Sequence, residues 1–262
     1  MTKKTTKKNI GGHFSSALNT LTSYAIVFVP LLILLGALDS FLFLTALNLN
    51  GIEATQNILN MGLSQSALIK LSFSHLGLML GTKAIIGPFI AMFAVLFSRA
   101  TIMDKALSFG EALSFALKRY SSVVKPYILA MLSIQIGSII VIPGIMFMQQ
   151  YAFVDSVATL EKEKHVLSRS KRLTNTRKKT LYFLILPYIL LGQGIQILEF
   201  IHSADLQKLI LINMGYEAAL ILILCSFYSL YHERIALIAE RKARKEAKKA
   251  AQEAKEDEST AE

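Results

Sequence analysis

Cysteine, charge and enzyme motifs are scarce in this sequence of 262 residues. Cys225 is the only cysteine and lies in an apolar run, which excludes a disulfide scaffold. Charged residues make up 18% of the chain and hydrophobic residues 53%, whereas soluble domains have roughly 25% and 45–50%. The mean hydropathy is +0.48. This composition argues against a water-soluble globule, and the abundant large apolar residues exclude disorder for most of the chain.

The sequence contains no Gly-rich phosphate loop, no Gly-x-Ser-x-Gly elbow and no His-Glu-x-x-His pair. The five histidines are scattered, and none has metal-ligand spacing to another histidine or to the cysteine: His13, His75, His165, His202 and His232. We therefore expect a protein that is not an enzyme, with no catalytic residue, no cofactor and no metal.

Five apolar stretches carry most of the hydrophobic residues: 21–47, 72–97, 127–160, 181–201 and 209–231. A helix needs about 20 apolar residues to cross a bilayer. The third stretch is too long for one crossing and has Pro143-Gly144 at its middle. Two interpretations are open: two short crossings, 127–142 and 145–160, joined by a hairpin at Pro143-Gly144, or one kinked span followed by an interfacial helix.

The distribution of basic residues favours the hairpin. Four segments hold 25 of the 28 lysines and arginines: the N-terminal tail, 98–126, 161–180 and the C-terminal tail. Two crossings in the third stretch put all four segments on one side, as expected for cytoplasmic loops. The predicted fold is thus all-α, a polytopic transmembrane helix bundle of about six spans with both termini in the cytoplasm. The predicted regions are a basic tail (1–20), the transmembrane domain (21–232) and a charged helical tail (233–262).

Residues 101–120 are predicted to form an amphipathic cytoplasmic helix, since apolar residues recur there at steps of three and four. Ser108 and Glu111 have capping-box spacing, so the helix can restart at Ser108. This helix either lies on the membrane surface or packs on the other spans. Five basic residues are candidate contacts to anionic lipid head groups: Lys118, Arg119, Arg169, Lys171 and Arg172. The alternative for the last three is a plain interfacial loop.

The expected partner is a lipid bilayer with anionic head groups, with a homo-oligomer or another membrane protein as further possibilities. We interpret the net charge of +10 mainly as a consequence of membrane topology, because basic residues accumulate in cytoplasmic segments. A nucleic-acid partner is not favoured, because no aromatic residue interleaves the lysines of the C-terminal tail.

Ionisable residues within the apolar stretches are the candidate intramembrane polar site, because each costs about 2.5–3.5 kcal/mol at a helix centre. They are Lys83, Glu217, Asp39 and Glu199. Lys83 and Glu217 lie near the middle of their spans, so we expect them to pair, with Asp39 as the second candidate. The site is either a structural ion pair that fixes helix order or part of a path for protons or a substrate.

Several short motifs follow one another in the middle of the chain: 108–113, Lys125-Pro126, 142–145, 159–161 and 167–174. This order resembles the six-span membrane domain of some bacterial glycerophosphodiester phosphodiesterases and of related stand-alone inner-membrane proteins. The resemblance covers roughly residues 100–185. It implies a multi-pass protein of the bacterial inner membrane with a role in the envelope, without the barrel hydrolase and with no catalytic residue to transfer.

The first functional hypothesis is a non-enzymatic integral membrane protein, such as an envelope or lipid-associated scaffold. The alternative is a small transporter or channel subunit that uses Lys83, Glu217 and Asp39. A membrane-embedded lipid enzyme is a third interpretation. A closed, dry bundle would favour the scaffold, whereas a water-filled cavity reaching Lys83 and Glu217 would favour the transporter.

Overall fold

The computed structural model of the chain describes residues 9–52, 65–138, 142–161 and 163–260. These residues form nine α-helices and a short 3₁₀ turn, and they contain no strand, so the all-α prediction is confirmed. The helices are α1 (Ile10–Ser23), α2 (Ala25–Leu49), α3 (Gln65–Ile102), α4 (Phe109–Ser138), α5 (Ile142–Tyr151), α6 (Val154–Leu160), α7 (Val166–Thr174), α8 (Lys178–Ile201) and α9 (Leu206–Thr260).

Four helical segments of the described chain are long and apolar enough to cross a membrane. They are Ala25–Leu49, Ile69–Ile102, Val166–Ile201 and Leu206–Gln252. Large apolar side chains such as Ile26, Leu34, Ile85 and Leu190 are exposed on the outside of the bundle. Such an apolar exterior suits a surface in contact with lipid rather than water.

Six spans and a hairpin at Pro143-Gly144 are not confirmed. α4 ends at Ser138 and α5 begins at Ile142, so Pro143 lies in the first turn of α5, where its missing N–H costs no hydrogen bond. α5 runs back along α4: a Cβ at Gly137 would lie 2.6 Å from the Phe147 ring. With 10 residues α5 is about 15 Å long, too short to span a bilayer by itself.

The predicted helix 101–120 is interrupted, and this expectation was wrong in part. α3 ends at Ile102, and the chain turns at Asp104, whose φ of 51° lies in the left-handed region that aspartate tolerates. α4 then starts at the predicted capping box. The Ser108 N–H donates to Glu111 Oε2 (2.9 Å) and the Glu111 N–H donates to Ser108 Oγ (3.2 Å).

The apolar face of the first part of α4 packs on the bundle. Ala112, Ala116 and Val123 are fully buried in the main core. Of the two arrangements open from the sequence, the structure thus has a helix packed on the other spans, which continues into the apolar segment up to Ser138.

Hydrogen bonds hold the basic segments of the described chain together at one end of the bundle. The Tyr24 hydroxyl donates to the Lys105 carbonyl (3.3 Å), and Arg119 donates to the Glu161 carbonyl (2.8 Å). The Tyr231 hydroxyl donates to Glu161 Oε1 (2.8 Å). These bonds join the end of α1, the α3–α4 loop, the end of α6 and the middle of α9. We refer to this side of the molecule as the basic end.

A second, small core lies at the opposite end. Phe43, Ala46, Leu71 and Leu209 are buried together there. The candidate polar site lies along α2, α3 and α9, the helices that connect the two ends. α2 and α9 cross closely at Gly36, where a Cβ would lie 2.8 Å from the Ile210 carbonyl oxygen.

Candidate functional site

Lys83 of α3 lies between the carboxylates of Asp39 on α2 and Glu217 on α9. Its Nζ donates to Asp39 Oδ2 at 3.2 Å and to Glu217 Oε1. The side chains of Asp39 and Glu217 are 1% and 0% exposed, and that of Lys83 is 13% exposed. The structure therefore brings together Lys83 and both of the partners that the sequence suggested. We call these three residues the Lys83 triad.

The Lys83 triad has two carboxylates for one ammonium. One oxygen of each carboxylate, Asp39 Oδ1 and Glu217 Oε2, is buried without a hydrogen-bond partner among the described residues. Burying an unmatched charge is costly in a low-dielectric interior. The triad therefore favours either a proton on one carboxyl group or a further cation nearby.

Glu199 lies outside the Lys83 triad but is connected to it. Its side chain on α8 is buried and hydrogen-bonded to Asn213 of α9. Asn213 Nδ2 donates to Ser40 Oγ (3.2 Å), and Ser40 Oγ donates to the Gly36 carbonyl (2.7 Å). Ser40 follows Asp39, and Asn213 precedes Glu217 by about one turn. The four candidate residues thus belong to one polar region of the bundle.

A cavity of about 520 Å³ lies beside this region, between α3, α4, α5, α6, α8 and α9. Apolar side chains form most of its wall. Three charged side chains also line it: Lys83, Glu199 and Asp155. A volume of this size is typical of small-molecule sites, which are mostly apolar and carry a few polar groups.

Four tyrosines line the same cavity, Tyr127, Tyr151, Tyr188 and Tyr216, and sequence reasoning missed them. The rings of Tyr188 and Tyr216 stack with centroids 5.4 Å apart, and their hydroxyl oxygens are 2.6 Å apart. Tyr127 contributes from α4. No local pattern could have found them, because they come from four different helices. Asp155 of α6 also lines the cavity.

The candidate head-group contacts divide into two groups. Arg119 donates to the carbonyls of Ala158 (3.2 Å) and Glu161 (2.8 Å), the terminal acceptors of α6, and Arg169 pairs with Glu161 (3.0 Å). Arg119 and Arg169 thus have partners within the chain. The side chains of Lys118, Lys171 and Arg172 are exposed.

A second ion network, also missed from the sequence, lies at the basic end. Arg177, which precedes α8, pairs with Glu233 of α9. His13 of α1 has its Nε2 3.5 Å from Glu233 Oε2 and its Nδ1 3.1 Å from Ser229 Oγ. We call Arg177, Glu233 and His13 the Glu233 network. Its members are 56 or more residues apart in sequence, so no spacing rule points to it.

The described residues contain no group of three or more His, Cys, Asp or Glu side chains arranged to hold a metal ion. Comparisons with protein-family models, curated proteins and solved structures give no match for this chain. The function of this chain is therefore inferred from its own residues, and the resemblance to the phosphodiesterase membrane domain stays a prediction.

Proposed function

We propose that this protein is an integral membrane protein that takes a small amphipathic molecule into the cavity beside the Lys83 triad, as a small transporter does. The observation that carries the proposal is the cavity, because Lys83 lines it while bonded to Asp39 and Glu217. Ionisable residues within membrane helices are costly, and they typically face a cavity or a transport path.

The polar region and the cavity together supply what such a site needs. The cavity wall offers apolar surface for the body of a ligand, and Glu199 and Asp155 offer polar contacts. The Lys83 triad and the chain from Asn213 through Ser40 hold α2, α3, α8 and α9 around it. A ligand or proton that changes the charge of the triad would change the contacts between these helices.

A scaffold is the second candidate, and the mutual pairing within the Lys83 triad favours it. Lys83 already has two partners, as expected for an ion network that sets helix order. The exposed Lys118, Lys171 and Arg172 would then hold the basic end at anionic head groups. In this case the cavity would be dry and closed to solutes.

Accessibility of the cavity to water distinguishes the two. In a Cys225→Ala background, Met131→Cys places a thiol in the cavity, and Leu132→Cys places one on the exposed outer face of α4. A transporter predicts rapid reaction of Met131→Cys with a water-soluble maleimide and slow reaction of Leu132→Cys, since a thiolate requires water. Equally slow reaction of both would support the scaffold.

Filling the cavity provides a matched control. Gly192 lines the cavity, whereas Gly194 on the same helix faces open space. Gly192→Leu should block the labelling of Met131→Cys, and Gly194→Leu should leave it unchanged. Labelling that survives Gly192→Leu would mean that the reagent enters by another route, which contradicts the proposed site.

We also propose the finer topology, a protein of the bacterial inner membrane with about six spans and both termini cytoplasmic. The gathering of the basic segments at one end supports it, because lysine and arginine accumulate on the cytoplasmic side. α4 starts at the basic end and α6 ends there. The chain therefore returns to the same side of the membrane after α6, whether or not α4, α5 and α6 cross the bilayer completely.

Labelling in whole cells tests this topology. With Cys225→Ala, Ser168→Cys lies at the basic end and Gln207→Cys at the opposite end, and both side chains are exposed. A membrane-impermeant reagent added outside should label Gln207→Cys alone. External labelling of Ser168→Cys would show that the proposed topology is wrong.

A further inference from the structure

We infer that the molecule taken up by the cavity is a lipophilic organic cation, such as an amine with an apolar body. This inference rests on the proposed function and adds the chemical class of the ligand. It follows from the sign of the charges in the cavity, from their partners and from the aromatic wall.

The charges around the cavity are mostly negative. Lys83 is the one lysine or arginine among the described residues of its wall, which also includes His75, and Glu199 and Asp155 are acidic. The ammonium of Lys83 already contacts Asp39 and Glu217, so its positive charge is fully matched. An anionic ligand would therefore find no lysine or arginine in the described wall whose charge is unmatched.

The two acidic residues of the wall have no such match. Neither Glu199 nor Asp155 forms a salt bridge with any described residue, and Glu199 has Asn213 as its hydrogen-bond partner. A buried carboxyl group without a counter-ion either keeps a proton or pairs with a cation, so a cationic ligand in the cavity would favour its ionised form. Asp39 and Glu217, which contact Lys83, each have one further oxygen without a hydrogen-bond partner among the described residues.

The aromatic wall suits the same ligand. Tyr127, Tyr188 and Tyr216 line the cavity, and the hydroxyls of the last two are occupied with each other. Ring faces attract cations, more strongly where water is excluded. The remaining wall is largely aliphatic and includes Met79 and Leu220, which favours an apolar body around the charge.

The cavity is also long enough for such a molecule. On α3 its lining residues run from Leu71 to Lys83, about 18 Å along the helix axis. Glu199 and Asp155 lie on α8 and α6, so acidic side chains come to the cavity from two separate elements. A monovalent cation with a hydrophobic body satisfies all of these features.

Binding of tetraphenylphosphonium and tetraphenylborate to the full chain in detergent tests the inference, because the two ions share size and shape and differ in charge. We expect saturable binding of tetraphenylphosphonium and at least tenfold weaker binding of tetraphenylborate. Glu199→Gln and Asp155→Asn should each weaken tetraphenylphosphonium binding fivefold or more. Glu246→Gln, on the exposed tail, should leave it unchanged.

The outcomes separate this inference from the proposed function. If tetraphenylborate binds as tightly as tetraphenylphosphonium and Gly192→Leu abolishes both, the cavity is a ligand site but the charge preference is wrong. If neither ion binds while Met131→Cys is labelled, the preference for cations is also wrong. If neither ion binds and Met131→Cys is unreactive, the proposed function itself fails. Gel filtration checks the folding of each variant, and either acidic substitution alone suffices for the test.

Discussion

The two ion networks of this bundle differ in their ratio of basic to acidic groups. The Lys83 triad, in the apolar part of the bundle, has one cation and two carboxylates. The Glu233 network, at the basic end, surrounds one carboxylate with an arginine and a histidine. Glu233 and His13 are as deeply buried as Asp39 and Glu217. Burial alone therefore does not explain why one network has an excess of acid.

The difference indicates that the two networks have different tasks. In the Glu233 network a single carboxylate joins α1, α9 and the start of α8, and an arginine that is always charged satisfies it. This arrangement fixes the positions of these helices relative to one another. The Lys83 triad leaves two carboxylate oxygens without partners next to a cavity. Under the proposed function, it is the network whose charge a proton or a cationic ligand would change.

Removing the only cation of the triad should have the largest effect. Lys83→Met leaves two buried carboxylates without a counter-ion and should lower the free energy of unfolding by about 3–5 kcal/mol. The triple variant with Asp39→Asn and Glu217→Gln should lose less. Thermal unfolding in detergent checks this, with Lys70→Met, an exposed lysine of α3, as the control. Losses that simply add would show that the three residues do not interact.

Breaking the Glu233 network should cost less, because it lies nearer the end of the bundle. Glu233→Gln removes the carboxylate from Arg177 and His13 and should destabilise the protein by about 2 kcal/mol. Glu240→Gln, on the same helix, breaks a largely exposed pair with Arg244 and should cost less than about 1 kcal/mol. An effect of Glu233→Gln equal to that of Lys83→Met would remove the distinction between the networks.

The close crossing of α2 and α9 should hold the triad in register. Gly36→Ala places a Cβ 2.6 Å from Met214 Cγ and 2.8 Å from the Ile210 carbonyl oxygen, so the helices must separate, at a cost of about 1.5 kcal/mol. Gly81→Ala, which meets open space, should stabilise α3 by about 0.5–1 kcal/mol. If Gly36→Ala is also stabilising, the crossing is looser than described.

The capping box at the basic end should give the smallest effect. Ser108→Ala removes one cap of α4 and should cost about 1 kcal/mol. The backbone N–H of Ser108 and its hydroxyl hold the pKa of Glu111 below its usual range. A lowered folded-state pKa means that this contribution is present above the ordinary glutamate pKa and is lost as pH falls through the folded-state value. Acid titration of Ser108→Ala should therefore show a shallower loss of stability than the wild type.

The members of the triad could be predicted from the sequence because they are charged residues within apolar stretches. Lys83 and Glu217 are charged residues near the middle of apolar stretches, and such residues need partners wherever they are placed. The capping box of α4 was accessible for a similar reason, since Ser108 and Glu111 interact over one turn. The capping box follows from local spacing, and the pairing of Lys83 with Glu217 follows from their similar positions along their apolar stretches.

Other features have no such signal. The Glu233 network and the stacked Tyr188–Tyr216 pair join residues from different helices, and nothing in the spacing identifies them. Pro143 suggested a turn at its own position, but proline is also favoured in the first turn of a helix, where it lies here. The local residues were equally consistent with both outcomes.

The sequence by itself determined that the chain is helical and apolar enough to cross a membrane several times, because each apolar run must satisfy its backbone hydrogen bonds internally. It also determined which charges would be costly. Only the tertiary structure decided that Lys83 contacts both Asp39 and Glu217, that Glu199 connects to them through Asn213 and that a cavity remains beside them. The physical reason is that pairing and cavities depend on helix rotation and crossing distance, which are set by packing between helices distant in sequence.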